Sequence, residues 1–133
     1  MLSSLIDAYE GRHVCTVDIK GAFLKAKVPE DLELIVKMDG QLAELMNELN
    51  PNFKIQEGVI YLRCNKALYG HVEAAILFYD DLNKTLVEKM SFIRNRYDPC
   101  VYNKKAKNGM VTARTHVDDI KLSAKSEKKI NQV

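Results

Sequence analysis

Apolar positions along this chain alternate between short β-dense runs and segments with helical spacing. Leu5, Ala8 and Tyr9 recur at helical steps behind Ser4, which stands at capping-box distance from Asp7, so a short helix with one apolar side is expected first. Gly11 is placed to end it in the left-handed conformation. His13 to Ile19 (HVCTVDI) is dense in β-branched residues and predicts a buried strand. KGAFLKAKVPED, punctuated by Gly21 and Pro29, predicts a turn region. Leu34 to Val36 predicts a short strand. Asp39 is then placed to cap a helix through Leu49, with Leu42, Leu45, Met46 and Leu49 on one face and Asn50-Pro51-Asn52 as the stop.

Val59 to Arg63 predicts another strand. The longest helical pattern runs from His71 to Met90, where Ala75, Tyr79, Leu82, Leu86 and Met90 recur at steps of three and four and Asp80-Asp81 falls on the outer side. Asp98-Pro99 marks a turn. Cys100 to Asn103 and Met110 to Val117 predict two strands joined through Asn108-Gly109, a hairpin signal. Asp118-Asp119 reads as the next tight turn, with Ile120 to Ser123 returning. Strands and helices mixed in this way predict an α+β fold, an antiparallel sheet backed by helices, in a single domain over residues 1–133.

Composition narrows the classes. With 133 residues, 47% apolar and 29% charged, the chain can bury a real core, which excludes a disordered tail, a collagen-like repeat and a disulfide scaffold. Cys15, Cys64 and Cys100 lie far apart, with no CxxC pair and no His at ligand spacing, so reduced thiols in an intracellular protein are expected rather than a zinc site. No apolar run approaches the roughly 20 residues of a membrane helix. MLSSLIDAYEGR lacks the basic start and long apolar stretch of a secretory signal. The net charge of +2 hides an asymmetry: residues 1–102 sum to −3 and residues 103–133 to +5. The basic segment carries Lys104, Lys105, Lys107 and Lys121; it suits either a phosphate backbone or a solvated surface hairpin.

Asp18 closes one expected strand, and Asp118 and Asp119 lie between two others, 100 residues later. Taken alone, Asp118-Asp119 reads as an ordinary turn, since Asp is common there. If the strands are neighbours, three carboxylates meet at one sheet edge, and their mutual repulsion calls for a hard cation such as Mg²⁺.

Four segments in this order carry a resemblance: VDIKGAFL (Val17 to Leu24), KALYG (Lys66 to Gly70), YDPCVYNK (Tyr97 to Lys104) and HVDDIKLS (His116 to Ser123). They resemble the successive motifs of the reverse transcriptase of copia-type retrotransposons, over a stretch from about Arg12 to Ser126. The resemblance implies a palm-like fold and an RNA-directed DNA polymerase that joins a deoxynucleotide to a primer 3′-hydroxyl by two-metal chemistry with Mg²⁺ or Mn²⁺. By position, Asp18, Asp118 and Asp119 match the catalytic, metal-binding aspartates, with the Ile19 carbonyl completing one shell. Phe23 matches the ring beneath the sugar of the incoming nucleotide, where it would exclude a 2′-hydroxyl; a plain core aromatic is the alternative. Gly70 would allow close approach to the templating pair or simply start a helix. Lys66 matches a phosphate contact or is a surface lysine. The implied partners are an RNA/DNA template-primer and a deoxynucleoside triphosphate, in the cytoplasm or nucleus and with no membrane.

Departures qualify this. Where the family reads LKQAPRAWY, this chain reads HVEAAILFY, so Glu73 replaces a glutamine near the nucleotide and would face triphosphate charge unless it turns away. His116 replaces the usual tyrosine. The chain is expected to be a palm-region fragment of a retroelement polyprotein, without full fingers, thumb or RNase H domain, and to have little activity by itself. Two alternatives are an inactive remnant that binds nucleic acid weakly at most, and an unrelated metal-dependent phosphohydrolase built on the same carboxylates.

Overall fold

A computed structural model describes residues 2–107 and 109–130; Asn108, half of the expected hairpin signal, lies outside the described residues. The architecture is α+β and divides into two compact units, Met1–Ala22 with Phe78–Val133, and Phe23–Leu77.

The first unit holds helix α1 (Leu2–Tyr9) and a five-stranded antiparallel sheet of β1 (His13–Asp18), β4 (Ile93–Arg94), β5 (Val101–Ala106), β6 (Gly109–His116) and β7 (Asp119–Ala124), in the order β1-β7-β6-β5-β4. Helix α5 (Glu127–Ile130) follows β7. Antiparallel register puts directly opposed residues on one face. Tyr102, Val111, Ala113, Thr115, Ile120, Leu122 and Ala124 share the core face and are all buried. Phe78, Leu82 and Leu86 supply further buried side chains, and the Tyr102 hydroxyl donates to Asn83 at 3.2 Å. The opposite face is mainly polar, with Thr16, Asp18, Asn103, Thr112, Arg114, His116, Asp119, Lys121 and Ser123, and it also carries Val14, Val101 and Met110.

The β1 strand forms where expected, but the expectation of burial is wrong: it is exposed along its whole length, because it lies at the sheet edge and pairs only with β7. Its β-branched residues reported extended backbone, not burial. Helix α1 buries Asp7, while Leu5 and Tyr9 of the supposed apolar side are 61% and 93% exposed. Gly11 does end α1 at φ +61°, with Gly11 N–H on the Ala8 carbonyl (3.2 Å) and Arg12 N–H on the Asp7 carbonyl (2.8 Å).

The long helical pattern resolves into α4 (Ala74–Lys84) and a π-helical turn over Thr85–Lys89, so the helix starts three residues later than its apolar spacing suggests. Its buried positions are Ala74, Phe78, Leu82 and Leu86 rather than a stripe through Ala75 and Tyr79; Asp80 and Asp81 are exposed as expected. The tight turn is made by Val117 and Asp118, since Asp119 already pairs with His116 as the first residue of β7.

Helix α2 (Ala22–Lys25) forms where only a turn was expected, and from Phe23 on it belongs to the second unit, which also contains the antiparallel pair β2 (Ile35–Asp39) and β3 (Val59–Arg63) and helix α3 (Gly40–Leu49). Leu34 precedes β2 instead of opening it and is fully buried. Asp39 stands at the N-cap position of α3 without making a side-chain cap bond; its carboxylate pairs with Lys37 at 3.6 Å. Leu42, Leu45 and Leu49 are exposed, and Ala43 is the buried residue of α3.

Candidate metal-binding strand end

Asp18 is the last residue of β1 and lies directly opposite Asp119, the first residue of β7. Asp119 in turn lies opposite His116, the last residue of β6. Asp18, Asp119 and His116 therefore share the polar face at one end of the sheet, and Asp118 stands in the connecting turn. The Ile19 N–H donates to the Asp118 carbonyl at 3.2 Å, which ties the segment after β1 to that turn. Asp18 and Asp119 are exposed and Asp118 is half-buried.

The turn itself is strained. Val117 has φ +55°, a left-handed conformation that a β-branched residue rarely adopts. Such outliers persist where surrounding structure over-determines them, here two strands pairing up to His116 and Asp119 on either side.

The donor set consists of hard carboxylate oxygens, which fit Mg²⁺ or Mn²⁺ in kind. Among the described residues, however, no three His, Cys, Asp or Glu side chains form a group that could hold a metal ion. The backbone register sets Asp18 opposite Asp119, with Asp118 in the adjoining turn; the side chains do not close into a ready-made cage.

The remaining sequence-derived candidates fall in different settings. Lys121, on the polar face, has an internal carboxylate partner: its Nζ lies 2.6 Å from Asp7 Oδ2 and also donates to the Ser3 and Ser4 hydroxyls. Lys104 Nζ lies 5.7 Å from the centre of the Phe92 ring. Lys105 and Lys107 are exposed. In the second unit, the Phe23 ring packs against Tyr69 with centroids 4.6 Å apart, Gly70 has φ +88°, and Lys66 is exposed and forms a backbone bridge to Lys27. The Glu73 carboxylate lies 2.6 Å from His71 Nδ1.

Sequence reasoning missed the cluster around Asp7. This carboxylate is buried, 2.6 Å from Lys121 and 3.4 Å from Arg12 Nε. Burial alone would raise its pKa, but hydrogen bonds from Lys121 and Ser123 and the charges of Lys121 and Arg12 bring it below its ordinary value. Arg12 is anchored to the sheet through the Ser123 carbonyl (2.7 Å) and Thr112 Oγ1 (3.0 Å). No local signal could have exposed this cluster, because Thr112, Lys121 and Ser123 lie 100 to 114 residues from the Arg12 and Asp7 groups they meet.

No curated protein and no solved structure matches the chain. The sequence model of one family does, described as reverse transcriptase (RNA-dependent DNA polymerase), and it covers residues 1–133. With that match along its full length, this chain belongs to the reverse transcriptase (RNA-dependent DNA polymerase) family.

Proposed function

We propose that this chain carries the palm region of a copia-type RNA-directed DNA polymerase, and that Asp18, Asp118 and Asp119 are its metal-binding carboxylates. The observation that carries the reading is the β1–β7 register, which sets Asp18 opposite Asp119 beside the strained Val117-Asp118 turn, in a chain of reverse transcriptase family. Asp18 and Asp119 would hold a divalent ion from the polar face, with Asp118 and the Ile19 carbonyl available from the same strand ends. When bound, such an ion lowers the pKa of an attacking hydroxyl and offsets phosphate charge.

The chain's own residues supply positioning. The Ile19–Asp118 backbone bond holds the two strand ends in step. Phe23, backed by Tyr69, is assigned to the sugar of an incoming deoxynucleotide. Gly70, in a left-handed turn, leaves open space where a side chain would stand. Glu73 is held by the His71 ring at 2.6 Å instead of standing as a free acid. Lys66, Lys105 and Lys107 are exposed cations available to phosphate. Because the carboxylates do not form a closed group, ion binding is expected to be weak without substrate phosphates, and primer extension by this chain alone correspondingly slow.

The test is Mn²⁺ binding followed by electron paramagnetic resonance, with a primed RNA template and a deoxynucleoside triphosphate present. The unmodified chain should bind Mn²⁺ at least about tenfold more tightly than Asp18→Asn or Asp119→Asn, as expected when one of few ionic ligands is removed. Equal affinity in all three proteins would remove the assignment.

A further inference from the structure

Helix α1 is docked on the polar sheet face in an unusual way. The residue it buries is an acid, and Leu2, Leu5 and Ile6 remain 73%, 61% and 44% exposed. Its attachment is therefore polar. Lys121 donates to Ser3, Ser4 and Asp7, Arg114 donates to Ser3 Oγ at 3.0 Å, and Arg12 Nε faces Asp7 Oδ1 at 3.4 Å. Every donor in that set belongs to the sheet or to the Arg12 loop fixed on it, and every acceptor belongs to α1. Arg12 Nε is, among the described residues, the buried side-chain donor left without a hydrogen bond. One carboxylate thus faces two cations, a third cation has only a serine hydroxyl from α1, and one donor stays unsatisfied. A cleft of about 480 Å³ opens beside them, lined in part by Leu2, Ile6, Asp7, Arg12, Arg114 and Lys121.

Position gives this cluster a direction. Arg114 and Lys121 oppose one another in the β6–β7 register, two residues along from the His116–Asp119 pair and on the same face. At about 3.3 Å per residue, the cations lie roughly 7 Å along the strands from the carboxylate end.

We propose that Arg12, Arg114 and Lys121 form a binding face for the phosphate backbone of a nucleic-acid strand, and that α1 covers it as an internal competitor, with the Asp7 carboxylate in the place of a phosphate. This rests on the proposed polymerase reading for the partner's identity, though not on metal binding or turnover. Each backbone phosphate offers two charged oxygens, as a carboxylate does, and successive phosphates along one strand can satisfy Arg12 Nε as well as Lys121 and Arg114. Glu10, 3.3 Å from Arg12 Nη1, and Asp98, on the cleft wall, are further acids beside this face and limit its net charge. Because α1 buries little apolar surface, undocking it sacrifices mainly polar interactions that the strand replaces. The apparent affinity is then the intrinsic affinity reduced by the fraction of molecules with α1 undocked.

The experiment is a fluorescence anisotropy titration of a labelled primer–template with the full chain, in chelator so that metal binding plays no part. Asp7→Asn should bind about tenfold more tightly than the unmodified chain, and its log–log salt slope should steepen by about 0.9 for each further phosphate that it neutralises. Adding Arg114→Gln to Asp7→Asn should abolish the gain. Ser4→Glu, which adds an acid beside Lys121 at an exposed helix position, should weaken binding without threatening the fold, and it decides the matter if Asp7→Asn does not fold. The proposal is overturned if Asp7→Asn and Ser4→Glu both bind like the unmodified chain, or if the gain persists without Arg114. Displacement of the strand by a free deoxynucleoside triphosphate in Asp7→Asn alone would overturn the strand as occupant in favour of the triphosphate. Failure of Mn²⁺ binding at Asp18 and Asp119 with this result intact would remove the polymerase assignment and leave the phosphate face standing.

Discussion

Asp18 stands directly opposite Asp119 across the β1–β7 pair, so two like charges share one sheet face at the strand end. Directly opposed like charges destabilise an antiparallel pair, a cost that a bound cation turns into a gain. Asp18→Asn should therefore stabilise the protein by roughly 0.5 kcal/mol in chelator. Added Mn²⁺ should raise the melting temperature of the unmodified chain and leave that of the variant almost unchanged. Thermal unfolding of both proteins with and without the ion checks this, and identical responses would count against a cation site there.

The Asp7 carboxyl titrates below its ordinary value of 3.8 in the folded protein, because the upward effect of burial is outweighed by Lys121, Ser123 and Arg12. A depressed carboxylate contributes stability that is fully present above its unfolded pKa and is lost as pH falls through the lower, folded one. Denaturant midpoints of the unmodified chain should accordingly fall more steeply than those of Asp7→Asn as the pH drops below 3.8. At neutral pH the same variant should lose about 1–3 kcal/mol, since it leaves the Lys121 ammonium half-buried without its counter-charge. Parallel pH profiles would show that the ion pair contributes nothing.

Val117 occupies a left-handed backbone position and is 53% exposed. Relief of that conformation is worth roughly 1–2 kcal/mol, against the 0.5–1 kcal/mol that glycine usually loses in unfolded-state entropy. Val117→Gly should thus be as stable as the unmodified chain or slightly more so, whereas Val117→Ile should gain nothing. Urea unfolding of the three proteins measures it.

Among the basic residues near the β5–β6 hairpin, Lys105 and Lys107 are exposed, while Lys104 lies over the Phe92 ring. Replacing Lys105 and Lys107 with Ala should flatten the salt dependence of nucleic-acid binding by about 0.9 for each phosphate no longer neutralised. Lys104→Met should change that slope less and lower stability by about 0.5–1 kcal/mol, because it removes the cation–π attraction to Phe92. Salt titrations of binding, paired with melts, separate the two roles.

Gly70 has φ +88° and open space around the position where a side chain would begin. Gly70→Ala should destabilise by about 1–2 kcal/mol from backbone strain alone, and Gly70→Asn by less. Equal losses in the two variants, read from chemical unfolding, would point to a steric cause instead.

Much of the local architecture was readable from residue order. The Val59–Arg63 strand, the left-handed end of α1 at Gly11 and the strands around Asp118-Asp119 follow from β-branched density, glycine placement and turn chemistry, which act over a few residues. The α+β class and the antiparallel sheet follow from those elements, and the ordered motifs from Val17 to Ser123 carried the family. Burial and partnership did not follow, because both depend on what comes to lie across the chain. The His13–Asp18 strand reads as core and is an exposed edge, since only the sheet order leaves it a single neighbour. Asp7 reads as part of a helix cap and is a buried anion, since Lys121 reaches it from 114 residues away. The meeting of Asp18 with Asp119 was likewise open until β1 and β7 paired: sequence supplied the carboxylates, and the hydrogen-bond register between two strands a hundred residues apart decided which of them meet.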